Sequence, residues 1–430
     1  MSTEIKAMTT SQVSNFINTQ RMIGSFIKMA KINTVSDESK AETNEIPSTK
    51  SQIELAHILQ DDLKQISGLV EIDVDKNAVV TATFPSNVQG TNIPTVGLLA
   101  HLDIADDVPT DNIQPTIHEN YQGGDLKLGH GTVIPASDLI EHIGEDIITT
   151  DGRTLLGADD KAGIAEIVEV LTVYSEHPEL QRPNIKIAFT PDEEISRGCD
   201  FFDIQKFGAD AAYTIDGSKP GEIENETFNA HMVKITFSGK DVHPGYAKGK
   251  MVNSLRALAD FIARLPRDEA PETTSGRQGY IHPISIEDKS VSKSTLTMIV
   301  RDFDYEGSLN RIERIKQIAK EVEKLNMGCS IEVNVKEQYR NMKEAIDKKP
   351  EVVEYAKQGI QDSGLQVIDK PIRGGTDGSR LSLRGLPTPN LGAGGQNFHS
   401  LREFVTAQDM KKCATVIINT LSAWVRNLKK

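Results

Sequence analysis

The sequence is poor in residues that several common chemistries need. It has three cysteines in 430 residues, Cys199, Cys329 and Cys413, widely spaced and with no Cys-x-x-Cys pair. That arrangement argues against a thiolate zinc site and against a disulfide framework, and it fits a reducing compartment. No apolar run approaches the roughly 20 residues of a membrane span; the longest, such as Val96 to Ala100, are strand-sized. Met1 to Arg21 is polar and broken by Ser, Thr and Asn, without the apolar core of a secretory signal. The expectation is a cytoplasmic protein with no membrane partner and, before Met22, an extra leading helix or a tail. Positive charge is also scarce. Lys and Arg number 48 against 62 Asp and Glu, a net charge of −14, which argues against nucleic acid as a partner. Gly-x-Ser-x-Gly, Walker and His-Glu-x-x-His strings are missing, and the Gly-rich strings do not match a dinucleotide fingerprint.

What is present is a chain long enough for two domains. Helical apolar spacing marks Gln20 to Ala30 and Ser51 to Ile66, the latter with Ser48 or Thr49 as cap. Strands are expected at 71–75, 78–84, 95–100, 185–189 and 211–215, and a helix at 163–174. Three of the strands are continuous apolar runs, as suits strands covered on both faces. Each runs into acidic or histidine residues: His101-Leu102-Asp103, Asp192-Glu193-Glu194 and Asp216-Gly217. In open α/β sheets ligands sit at the carboxyl ends of strands, so one site is expected there. Near Phe228 the texture changes to alternating strands and amphipathic helices, as in a small two-layer α/β domain, and it reverts near Asn341. The reading is a discontinuous domain, 1–227 and 343–430, with a smaller domain inserted at 228–342.

Taken singly, the candidate motifs are ambiguous. His101 and Asp103 lie two apart, on one face of a strand, so Asp103 can fix the imidazole tautomer; a surface pair is the plainer reading. Asp159, in Gly157-Ala158-Asp159-Asp160-Lys161-Ala162-Gly163, precedes a helix and is a cap or a ligand. Crowded carboxylates at 192–194 are costly unless cations neutralise them; a solvated acidic turn is the alternative. Asp216 reads as a ligand or an Asp-Gly turn. His399 follows the Gly-rich loop 392–398, as a ligand or a structural histidine.

In order, these strings resemble the peptidase T branch of the two-zinc peptidase clan that also holds carboxypeptidase G and aminoacylase. Further matching strings are Glu119 to Asp125, Thr149 to Gly152, Val242-His243-Pro244-Gly245, Arg301-Asp302-Phe303-Asp304 and Pro371 to Gly378. The resemblance spans about Ile23 to the C-terminus. It implies a mixed central sheet flanked by helices, with an inserted lid and dimerisation domain. It also implies two Zn2+ per subunit, with Mn2+ or Co2+ as substitutes: one on His101 and Asp216, the other on Glu194 and His399, with Asp159 bridging. Glu193 would be the general base, with Asp103 beside the site. His243 would hold the developing oxyanion, and Arg301, Arg373 and Asn253 would grip the peptide carboxylate.

The implied function is release of the N-terminal residue from tripeptides by a cytoplasmic homodimer. The alternatives are a dipeptidase, carboxypeptidase or N-acyl amino acid amidohydrolase on the same site, or an inactive binding protein. Ile104 stands where the branch usually has Thr, the loop before His399 is less aromatic, and Ser400 replaces a common Gly. These departures bear on substrate preference and leave the metal ligands intact.

Overall fold

The computed structural model describes residues 10–41, 43–90 and 92–428. It divides into two units, the larger made of Met1–Asn225, Glu344–Lys370 and Thr376–Lys430, and the smaller of Glu226–Lys343 with Pro371–Gly375.

The larger unit carries an eight-stranded mixed sheet. Its order is Val70–Val74, Val80–Phe84, Asn184–Thr190, Thr95–His101, Ala211–Gly217, Asn390–Gly392, Glu222–Glu224 and Ile368–Asp369. The four central strands, from Asn184–Thr190 to Asn390–Gly392, run parallel. Their apolar composition follows from burial on both faces: Val96, Leu98, Leu99, Ile185, Ile187 and Ile215 are all essentially inaccessible. Helix Ala158–Glu176 packs on strands Thr95–His101 and Ala211–Gly217, and helix Ala407–Arg426 packs on it and on Glu351–Asp362.

A second, antiparallel sheet joins Gly395–Gln396, Phe404–Thr406, Ile147–Thr149 and Thr116–His118. Its first two strands form a hairpin whose loop, 397–403, contains His399. Much of 102–150 reads as irregular in sequence because its strands are two or three residues long, too short for alternation to show.

The smaller unit is a four-stranded antiparallel sheet, ordered Tyr280–Glu287, Lys293–Asp302, Asn229–Ser238 and Ser330–Tyr339, with helices Ser254–Arg264 and Tyr305–Leu325 packed against it. Val233, Ile235 and Phe237 alternate into a core completed by Leu296, Met298, Val300, Phe261, Ile315 and Val322. The strand Tyr280–Glu287 escapes a sequence reading because Pro283 and a register shift beside it break the alternation.

At the start of the described chain, Thr10–Phe16 and Thr19–Ala30 are helical. Residues 1–9 of the expected leading segment lie outside the described residues. Asn18 caps the second helix by accepting from Arg21 N, and the Arg21 guanidinium donates to Glu169 and Glu176. Among the described residues no helix is long and apolar enough to cross a membrane.

Candidate metal centre

The parallel register sets the chemistry at one edge of the large sheet. Strand Thr95–His101 ends on His101, which is in register with Thr190, the last residue before the loop that carries Asp192, Glu193 and Glu194. The next strand supplies Asp216, and Asn390–Gly392 leads into the hairpin that bears His399. Residues far apart in the chain therefore converge because their strands are neighbours.

Asp159 lies between the two imidazoles. Its Oδ1 is 2.8 Å from His101 Nε2, and its Oδ2 is 3.5 Å from His399 Nε2. Each imidazole faces a second carboxylate with the same nitrogen: His101 Nε2 is 3.5 Å from Asp216 Oδ1, and His399 Nε2 is 3.1 Å from Glu194 Oε2. The opposite nitrogens are also engaged. His101 Nδ1 is 3.1 Å from the Asp103 carbonyl and 3.4 Å from its Oδ1. His399 Nδ1 is 2.9 Å from Asp107 Oδ2. Such outer partners fix ring orientation and tautomer at metal sites. Asp107 went unnoticed in the sequence; its only signal is an acidic pair, Asp106-Asp107, shortly after the first ligand motif.

The acidic triplet divides its labour. Asp192 faces away from the centre, accepting from Ser48 N, Ser48 Oγ and Gln52 Nε2 at 2.5–2.7 Å. Ser48 is thereby engaged, and Thr49 holds the N-cap position of helix Lys50–Leu63 without a side-chain capping bond, its hydroxyl donating instead to the Val35 carbonyl. Glu194 faces His399. Glu193 Oε1 accepts from Asp377 N at 3.2 Å. The backbone N–H groups of Glu193 and Glu194 donate to the two oxygens of buried Asp103 at 2.9 and 3.0 Å. Asp103 therefore braces the 192–194 loop as well as the His101 imidazole. Asp160 plays a similar part, its Oδ2 accepting from His101 N at 3.0 Å. Asp159 is not a helix cap: it and Asp160 have non-helical backbone, and Gly157 occupies the N-cap position with φ 76°. A side chain at Gly157 would meet the Ile104 methyl at 2.9 Å, so both its conformation and its surroundings require glycine.

The electrostatics describe a crowded anionic pocket. Burial, and then repulsion from Asp159, raises Glu194 to about 7 and raises Asp216 well above the carboxylate range. Burial also lifts Glu193. Hydrogen bonds to Asp159 and Glu194 push His399 up to about 11. For Asp159 the burial penalty is outweighed by both imidazoles, and its pKa falls. Lys161 is wholly buried; burial pushes its ammonium down to about 7 while Glu403 and Asp103 pull the other way, and its Nζ donates to the Ile32 carbonyl at 2.7 Å. Glu194 Oε1 is buried and lacks a hydrogen-bond partner among the described residues. An all-oxygen and imidazole donor set with an orphaned carboxylate oxygen fits divalent cations of the zinc, manganese or cobalt type. Two overlapping groups have metal-binding spacing here, His101–Asp160–Asp216 and His101–Asp159–Glu194. A third, His142–Glu145–Asp409, is ion-paired to Lys412 at 3.0 and 2.6 Å, which supplies its positive charge.

The residues expected to contact substrate lie in the smaller unit. His243 is exposed, accepts from Gly245 N through Nδ1 and lies 5.4 Å from the Tyr246 ring. Arg301 donates to Gln338 Oε1 and covers the Tyr339 ring. Arg373 donates to the carbonyls of Gly276 and Gln278 and to Thr274 Oγ1, over the rings of Phe228 and Tyr280. Asn253 caps helix Ser254–Arg264. Of the departures from the family pattern, Ile104 is fully buried with Ala105, Ile113 and Leu155. Ser400 braces its own loop, its Oγ donating to the Asn397 carbonyl at 2.6 Å and accepting from Arg402 N at 3.2 Å.

Comparison with known proteins shows the family. Residues 149–423 match the model of peptidase family M20/M25/M40. A peptidase T from Clostridium perfringens is 46% identical over 402 residues, covering 93% of this chain and 98% of that protein. Among solved structures, an aminopeptidase PepT from Bacillus cereus superposes with a TM-score of 0.74 at 22% identity, over 95% of this chain and 100% of that one. A tripeptidase from Staphylococcus aureus gives 0.75 at 21% identity, over 96% and 100%.

Proposed function

The chain belongs to peptidase family M20/M25/M40 and, within it, to the peptidase T group, and on that premise we propose that this metallopeptidase releases the N-terminal residue of tripeptides at a two-zinc centre. In this reading His101 and Asp216 hold one cation, His399 and Glu194 the other, and Asp159 bridges. The observation that supports it most is the split of the Asp159 carboxylate, one oxygen toward each imidazole. When bound, two divalent cations supply the Lewis acidity that acidifies a water molecule and polarises the scissile carbonyl.

The chain's own residues do the rest. Glu193 takes the proton of the attacking water and passes it to the leaving amine. Its raised proton affinity and its tether to Asp377 N suit a group that must accept and return a proton. Asp103 holds the Glu193 loop and the His101 ring in register. His243 is our candidate for the oxyanion contact and Arg301 for the substrate carboxylate, where a guanidinium fork is well matched. For Arg373 and Asn253 to share that role they must exchange the internal bonds they now make. We further propose zinc as the resident metal, a cytosolic location, a homodimer, and residues 228–342 as the lid and dimerisation domain.

The test is to incubate the zinc-loaded protein with Ala-Ala-Ala, Ala-Ala, N-acetylated Ala-Ala-Ala and C-amidated Ala-Ala-Ala and to identify products by mass spectrometry. Release of N-terminal alanine from the free tripeptide alone is the expected result. Cleavage of the acetylated peptide instead would move the function to acyl-amino-acid hydrolysis.

A further inference from the structure

We propose that Glu403 is a positioning residue that couples the two cation positions, an inference that rests on the assignment of Asp159 as the bridging ligand. Glu403 is 2% exposed. It enters the larger unit's interior from the loop 397–403 and accepts three backbone N–H groups. Its Oε2 takes Leu156 N at 2.8 Å and Gly157 N at 2.9 Å, and its Oε1 takes Asp159 N at 3.1 Å. A buried carboxylate needs such donors, and charge-assisted bonds of this kind are the strong ones.

An ordinary helix cap is an insufficient description. The three N–H groups precede the regular turns of helix Ala158–Glu176, since Asp159 and Asp160 are themselves non-helical. One of them is Asp159's own amide, so the clamp fixes the backbone from which the shared carboxylate projects. Gly157, in the middle of the clamped segment, is pinned by its positive φ and by Ile104.

The other end of the clamp is equally fixed. The loop is closed by the pairs Gly395–Val405 and Gln396–Phe404. Within it the Ser400 carbonyl accepts from Glu403 N at 3.2 Å, and Ser400 Oγ donates to Asn397 O. His399 sits in the same loop, four residues before Glu403. One short loop therefore delivers an imidazole to one oxygen of Asp159 and, by a separate side chain, holds the backbone of Asp159 still. Asp103 acts similarly from the other side, facing His101 and accepting from the amides of Glu193 and of Glu194, the carboxylate that faces His399. Displacing Asp159 would spoil both positions, but it would spoil the His399 position more. There the carboxylate is already the longer contact, 3.5 Å against 2.8 Å.

The experiment is a Co2+ titration of the metal-free full-length protein, followed by visible absorption and calorimetry, for wild type, Glu403→Gln and Glu403→Asp. Kinetics of the zinc-loaded forms on Ala-Ala-Ala accompany it. Wild type should take two equivalents. Glu403→Gln should keep the first and bind the second about 10–100-fold more weakly, the usual scale for outer partners of metal ligands, with an altered cobalt spectrum. Its kcat should fall at least about tenfold while KM stays within about twofold, because substrate contacts are untouched. Glu403→Asp, which keeps the carboxyl group, should recover part of both losses.

Two tight equivalents, an unchanged spectrum and wild-type kcat in a folded Glu403→Gln protein would overturn the proposal. So would activity lost only in proportion to unfolded protein. If Glu403→Gln does not fold, Glu403→Asp decides: wild-type titration and kcat in that variant refute the clamp, and a weakened second equivalent supports it. A wild-type protein that takes fewer than two equivalents instead refutes the two-cation reading beneath it.

Discussion

His101 ends a strand of the central sheet and its side chain is 3% exposed, whereas His399 rides in a hairpin loop and is 41% exposed. Chemically the two are alike: each has one nitrogen beside an outer aspartate and the other toward Asp159 and one further acidic residue. They differ in what holds them. The His101 half is built from strand ends in hydrogen-bonded register, so its geometry follows from the sheet. The His399 half depends on a loop and on side chains that reach across from it. A ligand in a sheet is positioned by many backbone bonds at once, and one in a loop by a few named contacts. The second half should therefore be the easier to disable and the more dependent on individual residues.

The largest effect is expected where both halves meet. Glu193→Ala should lower kcat by about 10²–10⁴, the usual contribution of a positioned general base. Metal analysis should still find both equivalents, since Glu193 is not among the proposed ligands. Metal loss from this variant would mean that Glu193 is a ligand and that the division of the acidic triplet is wrong.

Next come the imidazoles themselves. His101→Ala should reduce both metal content and thermal stability, because it leaves Asp103 and Asp216 facing a buried gap without their imidazole partner. His399→Ala should lose one equivalent with little change in melting temperature, since that ring is partly solvated. Equal stability losses in the two variants would erase the contrast between the halves.

Asp107 sharpens the comparison further. Asp107→Asn should weaken one of the two cation equivalents by about 10–100-fold and leave the other alone, read by titration of the metal-free protein. If both equivalents weaken together, the halves are not separable in the way their supports suggest.

Legibility in the sequence follows the same division. The His101 half could be read because buried parallel strands are continuous apolar runs, and the residues ending such runs are marked by position. Asp216 was visible for that reason, and so was Glu194, which faces His399 but also follows a strand of the sheet. Asp159 and His399 carried no such mark and were identified through the family resemblance. The supports stayed hidden: Glu403 and Asp160 accept from backbone N–H groups elsewhere in the chain, Asp377 donates its own N–H to Glu193, and Glu403 is 244 to 247 residues from its partners. No local pattern encodes that pairing. Lys161 was visible only as part of a motif, and its burial follows from the fold. The strand Asn390–Gly392 was missed because three residues give no period, although it is the parallel strand that leads to His399.

The smallest expected effect concerns the one family departure next to the first ligand motif. Read as sequence, Ile104 beside His101-Leu102-Asp103 hints at altered substrate choice. In the structure its side chain is fully buried among Ala105, Ile113 and Leu155 and rests on Gly157. Ile104→Thr, the residue the branch usually carries, would place a hydroxyl in that apolar cluster and remove the δ-methyl group. Stability should drop by about 1–3 kcal/mol, the cost of a buried hydroxyl without a partner, as measured by urea unfolding. The ratio of kcat/KM for tripeptide over dipeptide should not move. If that ratio shifts while stability holds, position 104 acts on substrate through the His101 half, and the sheet-built side of the centre is less rigid than its hydrogen bonds indicate.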